Sequence, residues 1–266
     1  MAVDTRGARN WSGLAPAYAD TFAHLCAGTI PALLDAAGLA PEHDVLEVGV
    51  GSGLLAARIA ASGARLTATE PEPDMRAIAR TNLPADVEVV AAGLPDLPFG
   101  DDAFDTVIAN FVVNHVGDPR AGVRELARVT RHGGRVLLTI WPSTPTAQGT
   151  LFTVVLDRAG ATPPTFDTLP TDLDFERSTA GTLGLLGGAG LVDVHAREIA
   201  LVWRIGPDRF WAGLEAGIGG IGKALLQQDD VTQRRMRAAY DDLSRGLLDG
   251  DELVFPATAI LAGGVR

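Results

Sequence analysis

The feature that most constrains the fold of this chain is a glycine-rich segment at residues 45–53, with the sequence VLEVGVGSG. A short apolar run of strand length contains one acid, Glu47, and leads into three glycines at alternate positions. An amphipathic segment at 54–61 follows directly and predicts a helix. Because glycine has no Cβ, it lets the backbone turn sharply and lets a ligand come close. The segment therefore predicts a strand, a tight turn and a helix N-terminus that hold a nucleoside-like ligand.

The spacing of the glycines separates the known classes of nucleotide site. A dinucleotide fingerprint, Gly-x-Gly-x-x-Gly, requires glycine where this chain has Leu54. The spacing acid-x-Gly-x-Gly-x-Gly is met at every place, by Glu47, Gly49, Gly51 and Gly53. A phosphate-binding P-loop needs a lysine after its last glycine, and none is near. The segment therefore favours a nucleoside ligand over a dinucleotide or a triphosphate.

Composition limits the partners and the compartment. The 266 residues carry a formal net charge of −11, a field that repels a phosphate backbone, so we expect no nucleic-acid partner. The single cysteine, Cys26, excludes an intrachain disulfide and a cysteine-cluster metal site. No apolar run approaches membrane-spanning length, and residues 1–10 contain no apolar leader. These patterns predict a cytoplasmic protein that does not bind membranes.

Short apolar runs alternate with helix-like segments over the first half of the chain. Repeated units of this kind predict an α/β fold with a parallel sheet and helices on both faces. Asp118 and Pro119 predict the start of one helix, and the glycines at 133 and 134 predict its end. The runs of strand length lie at 45–48, 66–69, 87–91, 106–109 and 136–140.

The rest of the chain departs from this alternation. A helix is expected at 147–159, an antiparallel strand at 191–204 and a final strand at 253–261. We therefore expect one structural domain in three parts. They are an N-terminal helical cap (1–43), a cofactor-binding core (44–141), and the end of the sheet (142–266) with a helical substrate-binding insertion at about 206–250.

Several segments, taken in order, resemble one family. Residues 47–53 resemble motif I of the class I S-adenosylmethionine-dependent methyltransferases, and the later segments resemble its type 11 branch, the ubiquinone/menaquinone-biosynthesis-like enzymes. The resemblance covers about residues 11–141 and implies a Rossmann-like sheet, mostly parallel with an antiparallel last strand, and S-adenosyl-L-methionine as cofactor. The later segments are LTATEPEPDM (66–75), LPFGDDAFD (97–105), NFVVNHVGDP (110–119) and RVTRHGGR (128–135).

The resemblance implies roles for the acids near the loop. Glu70 ends the second strand and would accept the ribose hydroxyls, although an acid there also suits a helix cap. Pro71 and Met75 would lie against the adenine. Glu47 would support the loop or meet the ligand's amino group, because a buried carboxylate needs partners. The family usually has an acid near adenine where this chain has Gly93, which leaves backbone groups such as that of Leu94.

Other residues are expected around the mouth of the pocket. Asn110 and Phe111 follow the fourth strand and should line it, and Tyr18 would close over the cofactor or pack in the core. His115 is a candidate general base, with a structural hydrogen bond as the alternative. No acid or histidine pair has metal-ligand spacing on one helix face, so no metal is predicted. The aromatics expected in a substrate pocket or in the core are Trp141, Phe152, Trp203, Phe210 and Trp211.

The favoured function is S-adenosylmethionine-dependent methyl transfer to the oxygen, nitrogen or carbon of a small apolar or aromatic metabolite. Two alternatives keep the cofactor: a reaction other than methylation, and a regulatory protein with a vestigial pocket. A nicotinamide oxidoreductase is opposed by Leu54. The expected partner is a small-molecule substrate, and a homodimer is left open.

Overall fold

The computed structural model describes residues 11–164 and 168–266. The expectation that residues 1–10 carry no apolar leader concerns residues outside these ranges, as does the beginning of the predicted N-terminal cap. Within the described ranges, no helix is both long and apolar enough to cross a membrane.

In the described ranges, three helices precede β1, and helices and strands then alternate as far as β5, except that β4 follows β3 without a helix between them. The helices are α1 (Ala15–Asp20), α2 (Phe22–Ala27), α3 (Ile30–Ala37), α4 (Leu54–Ala61), α5 (Pro73–Asn82), α6 (Pro119–Val129), α7 (Ala147–Ala159), α8 (Thr179–Gly188), α9 (Pro207–Glu215), α10 (Gly219–Leu226) and α11 (Asp230–Ser244), with 3₁₀ turns at Val113–His115 and Arg245–Leu247. The strands are β1 (Asp44–Val48), β2 (Arg65–Thr69), β3 (Glu88–Val90), β4 (Phe104–Asn110), β5 (Thr130–Ile140), β6 (Val192–Ile205), β7 (Leu248–Asp249) and β8 (Glu252–Val265).

The described strands form one mixed sheet in the order β3-β2-β1-β4-β5-β8-β6, with β7 paired to β8. Strands β1 to β5 are parallel to one another, whereas β8 runs antiparallel to both β5 and β6. This confirms the predicted α/β class, a Rossmann-like sheet that is mostly parallel with an antiparallel last strand.

The sheet gathers the predicted site at one edge. Glu47 in β1 is in register with Ala68 of β2 and Ile108 of β4, so these three parallel strands end side by side. In sheets of this kind, ligands bind at the carboxyl ends of the strands, where the strand order reverses. Here the order reverses between β1 and β4. The segments that leave β1, β2 and β4 therefore meet at this edge.

The prediction that the glycines at 133 and 134 end a helix is wrong. Helix α6 ends at Val129, and strand β5 already begins at Thr130, whose hydroxyl donates to the carbonyl of Leu126 at 2.7 Å. A Cβ on Gly134 would lie 2.8 Å from the carbonyl oxygen of Asp105. The glycine is therefore needed for close packing at the start of β5. The cap predicted for α6 is confirmed, since Asp118 Oδ1 accepts from the amide of Ala121 at 2.9 Å.

Apolar side chains cover both faces of the sheet, and a third cluster lies among the later helices. That third cluster is aromatic, with Trp211 and Tyr240 at a centroid distance of 5.0 Å and Trp203 and Phe210 at 5.3 Å. It joins helices α7, α9 and α11 to the long strands β6 and β8. These later helices therefore have their own packed core against the end of the sheet.

Candidate functional site

A cavity of about 330 Å³ opens at the carboxyl edge of the sheet. Its volume is at the lower end of the range for small-molecule sites. Most of the lining is apolar and aromatic, with Phe22 and Val112 among the side chains that sequence reasoning did not assign to the site. The predicted site residues that line it are Tyr18, Gly49, Gly51, Glu70, Pro71, Met75, Leu94, Asn110, Phe111 and His115.

The glycines of the loop do different things. Gly49 and Gly51 both have positive φ angles, +69° and +56°, and both line the cavity. A Cβ on Gly49 would lie 2.6 Å from Cγ2 of Val112, so a side chain there would collide with the segment after β4. A Cβ on Gly51 would meet the ring of Tyr18 at 3.5 Å. Gly53 is not among the described cavity-lining residues; it precedes α4 and packs against the backbone of α5.

Glu70 is buried and connects the glycine loop after β1 to the segment after β2. Its Oε2 accepts from the amide of Gly51 at 3.0 Å, and its Oε1 accepts from the amide of Glu72 at 3.1 Å. Burial raises the pKa of Glu70, and these two hydrogen bonds act against that rise. Each carboxylate oxygen has more than one lone pair, so the group retains acceptor capacity toward the cavity. The helix cap considered for Glu70 is supplied by Glu72, whose carboxylate accepts from the amide of Met75 at 2.7 Å.

Glu47 lies beneath the loop, outside the main cavity. Its side chain is buried, and Oε2 has no hydrogen-bond partner among the described residues. Burial, with the nearby charge of Glu70, raises the pKa of Glu47. Beside it is a second cavity of about 30 Å³, which also touches Tyr18 and Asn110. That space is enough for one water molecule, and a water there would give Oε2 a donor.

The side of the main cavity next to β2 and β3 is apolar. Met75 and Leu94 are buried with their side chains on the cavity, beside Pro71. A Cβ on Gly93 would lie 3.1 Å from Cγ of Pro71, so an acid at this position would require the proline to move. Glycine at 93 and proline at 71 are therefore matched to each other. The result is a slot with apolar walls that fits a flat heterocycle.

Asn110 ties the N-terminal helices to the sheet. Its Oδ1 accepts from the hydroxyl of Thr29 at 2.9 Å and from the hydroxyl of Thr139 at 2.6 Å. Its Nδ2 lies 3.5 Å from the carbonyl of Cys26. The amide thus connects the N-terminal helices with β4 and β5 while it also borders the cavity.

Phe111 and Trp141 form one wall. Phe111 has a φ of +58°, and its amide donates to the hydroxyl of Thr139 at 3.0 Å. The two rings stack at a centroid distance of 3.9 Å with 12° between their planes. The side chain of Asn114 holds Trp141 in place, because Oδ1 accepts from its amide at 3.0 Å and Nδ2 donates to its carbonyl at 3.4 Å.

The roof of the cavity is aromatic. Trp11 makes edge contacts with Tyr18 at 5.0 Å and with His115 at 5.4 Å, measured between ring centroids. Burial raises the pKa of the Tyr18 hydroxyl and that of the Cys26 thiol, the latter to about 12. Tyr18 and Cys26 are therefore neutral at physiological pH.

The environment of His115 weakens it as a base. Removal from water, with smaller contributions from the charges of Arg177 and Lys223, lowers the pKa of His115 to about 4. The imidazole is therefore neutral at physiological pH and holds a proton less well than an exposed histidine would. It lines the cavity and can accept or donate one hydrogen bond there. The role of His115 as a general base stays a prediction.

Of the five aromatic residues considered for a substrate pocket, one lines the cavity and four lie in a hydrophobic core. Trp141 lines the cavity, whereas Phe152, Trp203, Phe210 and Trp211 belong to the third hydrophobic core. Sequence reasoning missed several lining residues from the second half of the chain, which carries no recognisable motif. These are Thr146 and Gln148 at the start of α7, and Ile218 and Gly219 at the start of α10.

The residues at this edge fit S-adenosylmethionine. The buried Glu70 carboxylate retains acceptor sites for ribose hydroxyls, and the slot beside Pro71 and Leu94 suits adenine. A Cβ on Gly49 would collide with Val112, so only a residue without a side chain fits at this position of the loop. Among the described residues, no group of three or more histidines, cysteines or acids is arranged to hold a metal ion.

Comparison with known proteins agrees with this geometry. Residues 46–138 match the model of a methyltransferase domain. A demethylmenaquinone methyltransferase of Clavibacter sepedonicus is 39% identical over 103 residues, which is 38% of this chain and 42% of that protein. The demethylmenaquinone methyltransferase of Beutenbergia cavernae is 29% identical over 177 residues, which is 63% of this chain and 73% of that protein. This chain spans only about half of the length of the Clavibacter protein and of a Mycobacterium relative, 42% and 53% respectively.

Solved structures share the fold at low sequence identity. The YcgJ protein of Bacillus subtilis is 21% identical, with a TM-score of 0.57 over 90% of this chain and 97% of that one. The [4+2]-cyclase SpnF is 18% identical, with a TM-score of 0.60 over 100% and 98%. Likeness at this level establishes the fold. Together with the matched domain and the loop geometry, it shows that residues 46–138 are similar to the methyltransferase domains of this family.

Proposed function

We propose that this protein transfers a methyl group from S-adenosylmethionine to a small apolar or aromatic acceptor, on oxygen, nitrogen or carbon. The observation that carries the proposal is the continuity of one cavity. The same space borders Glu70 and the glycine loop after β1 and β2, and Phe111, His115 and Trp141 after β4 and β5. A cofactor held at the first group of residues would face an acceptor held at the second.

The chain supplies specific contacts for the cofactor. Glu70 would accept the ribose hydroxyls with the lone pairs that Gly51 and Glu72 leave free. Pro71, Met75 and Leu94 would enclose the adenine. Glu47 would act through a water in the small cavity beneath the loop.

When bound, S-adenosylmethionine supplies an electrophilic methyl carbon: the acceptor's electron pair forms the new bond to it as the carbon–sulfur bond breaks, and sulfur keeps the bonding pair. The protein then has to position the acceptor and exclude water. The stacked Phe111 and Trp141 give the acceptor a flat wall, and Trp11 and Tyr18 cover the cavity. The neutral His115 would take a proton only from an acceptor that ionises readily.

The form of the acceptor follows from the lining. Aromatic and aliphatic side chains dominate the part of the cavity after β4 and β5, with Trp141 and Ile218 among them. The curated relatives carry the name demethylmenaquinone methyltransferase, and a flat apolar ring of that kind suits such walls. The net charge of −11 is unfavourable for a polymer of phosphates.

A thermal-shift comparison tests the cofactor assignment. We expect S-adenosylhomocysteine at about 100 times its dissociation constant to stabilise the protein by about 2.7 kcal/mol, which is several degrees for a chain of this size. The variant E70A should lose the shift, and E88A, which removes an exposed glutamate of β3, should keep it. No shift with the wild type, or a larger one with NAD, would contradict the proposal.

Product analysis tests the reaction. Incubation with S-adenosylmethionine and a panel of aromatic hydroxy compounds and quinols should give methylated products detectable by mass spectrometry. A protein that binds the cofactor tightly but methylates none of the panel would instead support a non-methylating or regulatory use of the same pocket.

A further inference from the structure

One side of the cavity is built from the starts of two helices. Thr146 and Gln148 come from the first turn of α7, and Ile218 and Gly219 come from the start of α10. Helix α7 follows β5, which is separated from β2 by two intervening strands. At about 4.8 Å between neighbouring strands, the end of β5, which leads toward α7, lies roughly 14 Å from the end of β2, which Glu70 follows. We call the side of the cavity formed by Thr146, Gln148, Ile218 and Gly219 the acceptor side.

The first turn of α7 borders the acceptor side through Thr146 and Gln148. The Thr146 hydroxyl accepts from the amide of Gly149 at 3.1 Å and caps the helix. The amides of Ala147 and Gln148 come earlier in the first turn, where no carbonyl of the helix can accept from them. The N-terminus of a helix of 13 residues also carries a partial positive charge. Both properties favour a negatively charged oxygen.

A second observation points to a polar ligand at the same place. Gln148 is only 8% exposed, it lines the cavity, and its Oε1 has no hydrogen-bond partner among the described residues. A buried amide without a partner is costly, so such a group usually has one in the functional state. Rotation of the amide by half a turn exchanges its oxygen and nitrogen without a change of shape. Gln148 can therefore offer an N–H donor to a ligand oxygen.

The charges around the cavity differ between its two sides. Glu47 and Glu70 lie by the glycine loop. Arg177 and Lys223 lie close enough to His115 to hold down its pKa, and Lys223 belongs to α10. Arg177 is also paired with Asp174 at 2.8 Å, which reduces its field without cancelling it at His115. An anion is therefore favoured at the acceptor side and disfavoured beside the loop.

We propose that Gln148 and the N-terminus of α7 form a subsite for an ionised oxygen, a phenolate or a carboxylate, carried on the apolar ring of the acceptor. Phe111 and Trp141 hold the ring, and the Gln148 amide and the first-turn amides of α7 bind the charged oxygen. This deepens the proposed function and rests on it. Gln148 is thus a residue that selects acidic over neutral acceptors.

The test measures binding of three ring compounds of similar size by calorimetry, with the full chain saturated with S-adenosylhomocysteine. They are para-nitrophenol at a pH where it is ionised, para-nitrobenzoate, and neutral para-nitroanisole. We expect at least one of the ionised probes to bind about tenfold to a hundredfold more tightly than nitroanisole. Comparison of the two ionised probes shows which anion the subsite prefers. Equal affinity for all three would overturn the proposal.

Variants assign the preference to Gln148. Q148M keeps the length and volume of the side chain but loses the amide, and it should reduce the preference for the ionised probes over nitroanisole, while the first-turn amides of α7 retain part of it. The matched control is Q227M, at an exposed glutamine that follows α10, and it should retain the preference. A preference of wild-type size in Q148M would overturn the assignment to Gln148. If Q148M does not fold, Q148E serves instead, and its added charge should repel the ionised probes.

The two proposals fail in different ways. If the wild type does not bind S-adenosylhomocysteine, the proposed function is overturned. The probes would then be titrated into the protein without S-adenosylhomocysteine, and the subsite is judged from that titration. Normal S-adenosylhomocysteine binding with no preference among the probes would overturn the anion subsite alone.

Discussion

Phe111 and Trp141 lie face to face, with their ring centroids 3.9 Å apart and 12° between the planes, although Phe111 follows β4 and Trp141 follows β5. The contact is made from an uncommon backbone conformation, since Phe111 has a φ of +58°. A bulky residue in the left-handed region costs free energy, which the surrounding structure must offset. The hydrogen bond from its amide to Thr139 and the stacking with Trp141 do so.

We therefore predict energetic coupling between the two rings. In a double-mutant cycle of F111A and W141A, the coupling free energy from urea unfolding should be about 0.5–1.5 kcal/mol. The control cycle pairs F111A with F255A, because Phe255 belongs to a different core. That cycle should be additive to within about 0.5 kcal/mol. Additivity in the first cycle would show that the stack does not hold Phe111.

Gly49 should be intolerant of any side chain. G49A combines a positive φ with a Cβ 2.6 Å from Val112, so we expect a loss of about 2–4 kcal/mol in the free energy of unfolding and loss of the S-adenosylhomocysteine shift. Adding V112A should recover the part that comes from the collision. The control is G100A, at an exposed glycine whose Cβ would meet no atom within 4 Å. Equal losses in G49A and G100A would contradict this explanation.

His115 predicts a pH dependence of stability. Its pKa is about 4 in the folded protein and near the ordinary histidine value of 6.5 when unfolded, so the unfolded state binds the proton first as the pH falls. The contribution of His115 is thus fully present above pH 6.5, is lost progressively below it, and changes no further below pH 4. It amounts to about 1–3 kcal/mol, given that the side chain is only half-buried.

The measurement compares unfolding free energies of the wild type and H115Q across that interval. H115Q should show a smaller fall in stability between pH 6.5 and pH 4. H132Q, at an exposed histidine of β5, is the matched control and should follow the wild type. A wild-type slope in H115Q would mean that other groups cause the dependence.

Asn110 should matter for stability as well as for the site. N110A removes the acceptor of the buried Thr139 hydroxyl and the link to Thr29, so urea unfolding should show a loss of about 1–3 kcal/mol. N82A removes one hydrogen bond from an exposed side chain to the carbonyl of Ser52, and the expected loss is smaller. Limited proteolysis of N110A should also cut the N-terminal helices faster. Equal stability of N110A and N82A would contradict the bridging role.

The local features of the site were predictable from the sequence because they are local in origin. The loop between β1 and α4 follows from glycine spacing, and the positions of Gly49, Gly51 and Glu70 on one cavity follow from parallel strands that end together. Helix α7 was predicted with the bounds that the structure shows, Ala147–Ala159, and the cap by Asp118 follows from its side-chain chemistry.

What the sequence did not reveal depends on contacts between distant segments. Phe152 and Trp141 are both large aromatics from the second half of the chain, and only the docking of α7 on α11 places the first in a core and leaves the second on the cavity. Gln148 had no signal for the same reason. The start of β5 was misplaced because its glycine pair resembles a helix end, whereas the decisive contact is with Asp105 in β4.

The place of β8 in the sheet has a consequence for the order in which the molecule assembles. Strand β6 is joined to the sheet through β8, which comes later in the sequence and lies between β6 and β5. During synthesis, the 14 residues of β6 therefore leave the ribosome before the strand that connects them to β5 exists. Contacts that wait for a distant segment form slowly, and an unpaired strand is prone to join the wrong neighbour. The core of β1 to β5 can form first, and the aromatic cluster of the later helices closes only when β8 is inserted.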